Sequence, residues 1–313
     1  MRRHLVSLLL LLTLTGCNPR AYDIDACVTI DPTEDYIQSL PSSFEPLTSE
    51  EQETPWGREL LIANQFGPEL DLYRAITGYK RALFLIPEGQ EERKNQIEYD
   101  ILYSYFIAGR YEEVVSHFEK SRLAHVPQNF PAYRDMLVII YFSYDKTCNP
   151  YRRDAILHVI TDYDSQLAED LSMSRLIGKG DICGIQNLEH RLAEGYQDIF
   201  CKYQSRKLSV RKAQIYNALI PGAGYFYTGQ TRTGITAFLL NAAFITATYE
   251  LFHNGYPAAG AIVASLEFGW YFGGINGAGL SAKYYNDQLY NCYAKEVMLD
   301  QHLFPILMLQ KAF

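Results

Sequence analysis

The apolar positions of this 313-residue chain change their spacing along its length. From Leu5 to Leu14 they form one run, interrupted by Ser7 and Thr13, behind Arg2 and Arg3. From Pro55 to Cys201 they recur at helical spacing, with little of the two-residue alternation that marks a strand. From about residue 233 they merge into two long apolar segments separated by His253-Asn254-Gly255-Tyr256. The pattern predicts an all-α chain, with amphipathic helices in its middle and a later part suited to an apolar solvent.

The clearest unit of the middle runs from Glu98 to Pro127. Ile101, Leu102 and Tyr105 share one helical face, Ala108-Gly109 makes a turn, and Tyr111, Val114, Val115 and Phe118 share a face of the next helix. Earlier, Ala75, Tyr79, Ala82 and Pro87 repeat the spacing of the second helix, with a first helix over Trp56–Phe66 and an extra connecting segment over Glu88–Asn95. A third hairpin is expected from Pro131–Tyr144 and Tyr151–Tyr163 around a turn at Thr147-Cys148-Asn149-Pro150. Ser165–Leu176 and Ile185–Lys202 would cap the stack.

The order Tyr105, Gly109, Tyr111, Phe118, Pro127 resembles a tetratricopeptide repeat, although Leu102, Val114 and Ser121 stand where Gly, Ala and Ala are usual. That resemblance implies a helical-hairpin solenoid over residues 55–201, with a concave surface that binds peptides or partner proteins. Tyr99, Tyr103, Tyr133 and Tyr141 are then candidate partner anchors, since a tyrosine presents a flat apolar body and a polar tip. Repeat cores use the same residues, and core packing is the reading that the pattern favours for them.

Composition adds compartments. Met1–Cys17 reads as a basic start, a short apolar run and small residues before a cysteine, which is a secretion signal over residues 1–16. Leu14-Thr15-Gly16-Cys17 resembles the lipobox of bacterial lipoproteins, which implies lipidation at Cys17 and a soluble domain facing the periplasm. Residues 17–54, rich in Pro, Ser, Thr and acids, read as an extended tether, with Tyr22 and Tyr36 as the residues able to dock on the first domain. Asn18 leans by the sorting rule towards the outer membrane, whereas the apolar hairpin favours the inner one. Export permits disulfides, and Cys148 with Cys183 is the first pair expected; buried inert cysteines are the alternative. No cysteine or histidine spacing suits a metal.

Between Cys17 and Cys201 there are 31 acidic and 17 basic residues, against 5 and 9 from Lys202 onward. The acidic middle argues against nucleic acid as a partner. Lys202–Lys212 forms a basic linker, followed by an expected membrane module over residues 213–286, with helices at about 233–252 and 257–280, and a tail over 287–313. Its entry, Pro221-Gly222-Ala223-Gly224-Tyr225-Phe226-Tyr227, resembles the PGxGQxY-like turn of a small bacterial membrane domain of unknown function, with Tyr225 in place of the glutamine. Physically, Pro221, Gly222 and Gly224 allow a sharp interfacial turn, with Tyr225 and Tyr227 at headgroup level. Glu267 is the polar residue whose position in lipid calls for a helix contact or a polar pathway. Orientation stays open. A lipidated Cys17 puts the basic linker outside, against the positive-inside preference, unless that linker lies along headgroups or the apolar pair forms an oligomer core.

No HExxH, GxSxG, Walker loop or dinucleotide fingerprint is present, so neither an enzyme nor a cofactor is expected. The sequence points to a lipid-anchored envelope scaffold or adaptor that binds an envelope protein or peptide, with the bilayer and a homo-oligomer as further partners. The alternative is a transport or protein-insertion accessory acting through an oligomeric hairpin.

Overall fold

The computed structural model describes residues 24–30, 34–187 and 201–313. The signal segment with Cys17 and Asn18, and most of the expected capping helix after Ile185, lie outside the described residues. Among the described residues there is no strand, and the all-α expectation holds. The chain divides into two compact units, each made of separate stretches. One, the stack unit, joins Thr29–Leu176 to Val297–Phe313; the other, the hairpin unit, joins Ile177–Glu296 to the residues up to Val28.

The stack unit contains α1 (Glu34–Ser39), α2 (Ser49–Glu53), α3 (Pro55–Phe66), α4 (Leu72–Leu85), α5 (Glu91–Ile107), α6 (Tyr111–Lys120), α7 (Tyr133–Lys146), α8 (Pro150–Tyr163) and most of α9 (Ser165–Lys179). Consecutive helices from α3 to α8 pack on one another, and α5 also packs on α7. Local chemistry sets the boundaries. Thr48 and Glu51 close a capping box at the start of α2, and the Thr54 hydroxyl caps α3, which opens with Pro55. Gly109, with its left-handed φ of 69°, ends α5 as the turn predicts. Cys148 takes the same region with φ 56°, and Asn149 then caps α8.

Helix α5 lies at the centre. Every residue from Gln96 to Phe106 is buried, so this helix has no solvent face beyond its first turn. Helix α7 is buried almost as fully, from Met136 through Tyr141. Two expectations change here. The segment Glu88–Asn95 is not a long connection, because α5 already begins at Glu91, where Glu91 and Glu92 favour the positive end of the helix dipole. Residues 34–54 are not an extended tether either. Ile37 is 1% exposed, and the Arg93 guanidinium fixes Glu51 at 2.8 Å and the Glu45 carbonyl at 2.8 Å.

The hairpin unit contains α10 (Ile182–Asn187), a helical stretch at 201–206, α11 (Val210–Leu219), α12 (Ala223–Tyr227), α13 (Thr231–His253) and most of α14 (Pro257–Asp300). Helices α13 and α14 are long and apolar enough to cross a membrane. Only 6% of the most apolar stretch of each is buried, and Phe238, Leu239, Ile262, Leu266 and Phe268 stand about half exposed. The first agrees with the expected span. The second runs 20 residues past the expected end at 280, because no breaker intervenes before Asp300 and Lys283 pairs with Asp287 one turn on, at 3.0 Å. At 1.5 Å per residue its 44 residues extend about 66 Å, twice the hydrocarbon thickness, so only its first half suits lipid. The N-terminal residues 24–28 dock on the other half: Cys27 N–H donates to Asn291 Oδ1 at 2.9 Å, and Asp25 pairs with Lys283.

Candidate functional site

The polar residues of the stack unit converge on its last stretch, residues 303–313. The Tyr36 hydroxyl lies 3.0 Å from the carbonyl oxygens of both Leu307 and Leu309 and donates to them. Arg134 Nη1 donates to the Met308 carbonyl at 2.6 Å. One oxygen of Asp135, Oδ2, accepts the backbone N–H groups of Gln310 at 2.9 Å and Lys311 at 2.8 Å. Ala312 N–H donates to the Pro41 carbonyl at 3.0 Å, forming a lone parallel bridge with Ser42. These contacts read main-chain groups, as strand addition does.

Two pockets of apolar contact complete the seat. Leu303, Phe304, Met308, Leu309 and Ala312 are buried. The Phe313 ring stacks on Tyr79 at 6.4 Å and meets Tyr103 edge-on at 4.8 Å. Gly67 makes room for it, since a Cβ there would stand 2.6 Å from the ring.

The floor beneath is costly. The hydroxyls of Tyr79, Tyr99 and Tyr103 are buried without a hydrogen-bond partner. Beside them, burial pushes the Asp100 carboxyl up to about 8, against a hydrogen bond from Gln96. Burial also raises Asp135, although its two backbone donors and Arg134 pull the other way. Tyr141, near the ion cluster of Arg153, Asp145 and Arg175, is pushed up to about 12 by burial.

This placement corrects several expectations. Tyr99 and Tyr103 are fully buried, Tyr141 is 2% exposed and Tyr133 is 9% exposed, so the four candidate anchors are core and floor residues, with no free face for a partner. Phe44 and Phe130 cover Tyr99, and the Phe313 ring covers Tyr103. Cys148 and Cys183 are both exposed, one in each unit. Of the residues that make the seat, Tyr36 was expected to dock on this domain, whereas Arg134, Asp135 and Phe313 were not singled out by the sequence. The adjacent Arg134-Asp135 pair at the start of an apolar helix was the available signal.

In the hairpin unit the residues expected at a membrane interface form a packed turn. Gly222 has φ 94°, its N–H donates to Asn217 Oδ1 at 2.9 Å, and a Cβ there would collide with the Gly234 carbonyl. Gly224 lies equally close to Ala213 and Ala278. Pro221 is half-buried beside them. Tyr225 is half-buried with its hydroxyl against Gly277, and the Tyr227 hydroxyl accepts the Ser209 N–H at 3.1 Å. Both tyrosines are thus tied into protein contacts. Glu267 is half-buried, and its Oε2 has no hydrogen-bond partner. Among the described residues no cluster of His, Cys, Asp or Glu could hold a metal ion.

No family model, curated protein or solved structure matches this chain.

Proposed function

We propose that the protein is a lipid-anchored adaptor of a bacterial envelope, in which a tetratricopeptide-like stack holds an extended segment of a partner polypeptide. The observation that carries this reading is the main-chain clamp of Tyr36, Arg134 and Asp135, at present occupied by residues 307–311 of the same chain. A clamp on peptide groups supplies affinity, and the buried Met308, Leu309 and Ala312 positions ask for apolar side chains, which suits an adaptor for an apolar extended segment. The Phe313 pocket adds one apolar anchor. In this reading the chain's own segment competes with the partner. The lipobox-like signal and the two apolar helices supply the anchorage.

The test uses the full chain with residues 307–313 replaced by a Gly-Ser linker, and a fluorescent peptide of sequence Leu-Met-Leu-Gln-Lys-Ala-Phe. The replaced chain should bind the peptide at least about tenfold more tightly than the native chain, a difference of about 1.4 kcal/mol. Asp135→Ala in the same background should abolish that gain. A folded replacement chain that captures neither the peptide nor any envelope protein sinks the reading. The unpaired Glu267 and the exposed apolar faces of α13 and α14 favour the second reading, a transport or insertion accessory. Loss of function on Glu267→Leu, with peptide binding intact, would select it.

A further inference from the structure

The hairpin unit carries a third apolar segment besides its two long helices. Residues 213–231 hold no charged side chain, while Arg211 and Lys212 precede them and Arg232 follows. Helix α11 turns Ala213 and Asn217 inward, where Ala213 packs with Ala278 and Ala282 of α14. Its other face, with Ile215, Leu219 and the following Ile220, is open. Leu219, 75% exposed, is the most exposed large apolar side chain of this unit among the described residues. Apolar residues gathered on an open face mark contact with lipid or protein.

Contacts along α14 fix where this face lies. Arg206 Nη1 donates to the Tyr293 hydroxyl at 3.0 Å, and Leu208 N–H donates to Asn286 Oδ1 at 2.7 Å. Gln214 then lies against Gly279, Asn217 lies against Gly274, and the Tyr271 hydroxyl donates to the Ala218 carbonyl. Helix α11 therefore runs antiparallel to α14, from its polar half into its apolar half. Tyr271 stands nine residues inside Leu280, where the apolar run stops, which is about 14 Å at 1.5 Å per residue. Half of a hydrocarbon layer is about 15 Å. The segment then returns to the level at which it began: the Tyr227 hydroxyl accepts the Ser209 N–H at 3.1 Å, and Thr228 Oγ1 meets Ser281 Oγ at 2.9 Å. Arg211, Lys212 and Arg232 thus form a cationic belt at one level, suited to anionic headgroups.

The deep end of the segment is built for a solvent without hydrogen bonds. Pro221 has no N–H to satisfy. The Gly222 N–H is taken by the Asn217 side chain at 2.9 Å, the Ala223 N–H by the Ile220 carbonyl at 2.9 Å, and the Ala218 carbonyl by Tyr271. Water would serve these groups at a surface; in hydrocarbon they need partners from the chain itself.

We propose that α11 and α12 form a re-entrant hairpin that dips through one leaflet and returns, with Ile215, Leu219, Ile220 and Phe226 against acyl chains. The proposal rests on the reading of α13 and α14 as membrane spans. It moves the Pro221-Gly222 turn from the headgroups, where the sequence alone places it, to the middle of the bilayer. The unit is then four segments wide in one leaflet and two in the other.

The experiment uses the full chain carrying Trp270→Phe, in vesicles of phosphatidylcholine and phosphatidylglycerol, with tryptophans added one at a time. Trp56 is enclosed in the stack unit and supplies a constant background. The lipid is brominated either near the headgroup or near the far end of its acyl chains, and bromine quenches tryptophan on contact. Leu219→Trp should be quenched at least about twofold more by the deep bromines than by the shallow ones, and Lys212→Trp should show the reverse order. Ile215→Trp, one turn nearer the belt on the same open face, should fall between them, and it carries the test if Leu219→Trp fails to fold. Leu239→Trp on α13 is the control for the spans and should be quenched. A quenched Leu239→Trp beside a Leu219→Trp that follows the shallow order, or is not quenched, overturns the proposal and leaves the turn along the headgroups or against a second copy of this chain. If neither is quenched, the reading of α13 and α14 as spans fails with it.

Discussion

The two units place the same kinds of residue on opposite sides of their surfaces. In the stack unit, tyrosines and even carboxylates are interior, with Tyr79, Tyr99 and Tyr103 almost completely enclosed. In the hairpin unit, Phe238, Leu239, Leu266, Phe268 and Phe272 are outside while Asn217 and Asn241 are inside. Within the hairpin unit the glycines divide too. Gly222 and Gly224 are pressed against neighbouring backbone, whereas Gly269 and Gly273 face empty space. One unit is stabilised by removing apolar area from water; the other leaves that area outside and holds itself together through close backbone approach and a few buried polar contacts.

The largest expected effect tests how far the stack unit depends on its distant last stretch. Deleting residues 301–313 removes the burial of Leu303, Phe304, Met308 and Leu309, a loss on the order of 5–10 kcal/mol. Amide hydrogen exchange over residues 97–106 should rise sharply, while exchange across α13 should not change. Equal protection of residues 97–106 in both proteins would break the comparison.

Protonation tests the cost of the polar interior. The folded Asp100 carboxyl is raised to about 8, above its unfolded value, so the folded state binds the extra proton and stability falls as pH rises from about 4 to 8. The change attributable to Asp100 is up to about 5 kcal/mol, and Asp100→Asn should flatten the denaturant midpoint against pH over that window. A midpoint that rises with pH equally in both proteins would contradict it.

Backbone packing gives the next effect. Gly222→Ala must adopt a left-handed φ and meet the Gly234 carbonyl, costing about 2–4 kcal/mol in the unfolding of the hairpin unit in detergent. Gly269→Ala should be neutral or mildly stabilising, by at most about 1 kcal/mol. If the two glycines respond alike, the distinction drawn between packed and open positions fails. The smallest effect is at the floor of the seat. Tyr103→Phe removes an unpartnered buried hydroxyl and should raise stability by about 1 kcal/mol, measured by thermal unfolding.

Helical period was enough to place most of this fold. Pro55–Phe66, the Gly109 turn and the start of α14 at Pro257 appear where apolar spacing and breakers put them. The end of α14 was not legible, because the apolar run stops near Leu280 while the helix continues on ion pairs such as Lys283–Asp287. The seat was hidden for a different reason. It joins Tyr36 and Asp135 to residues 307–311 across as many as 273 positions, and no local pattern carries such a pairing. The tyrosines were recognisable as a cluster, but their side could not be read from spacing, since an anchor and a core residue use the same helical face.

The 174 positions between Arg134 and Met308 also set a clock. At translation speeds of about 5–20 residues per second, Arg134 is made roughly 10–35 s before the Met308 carbonyl that it holds. Until then the burial that Leu303, Phe304, Met308 and Leu309 add to the stack unit is missing. The stack unit therefore reaches its full stability only after nearly the whole hairpin unit has been synthesised.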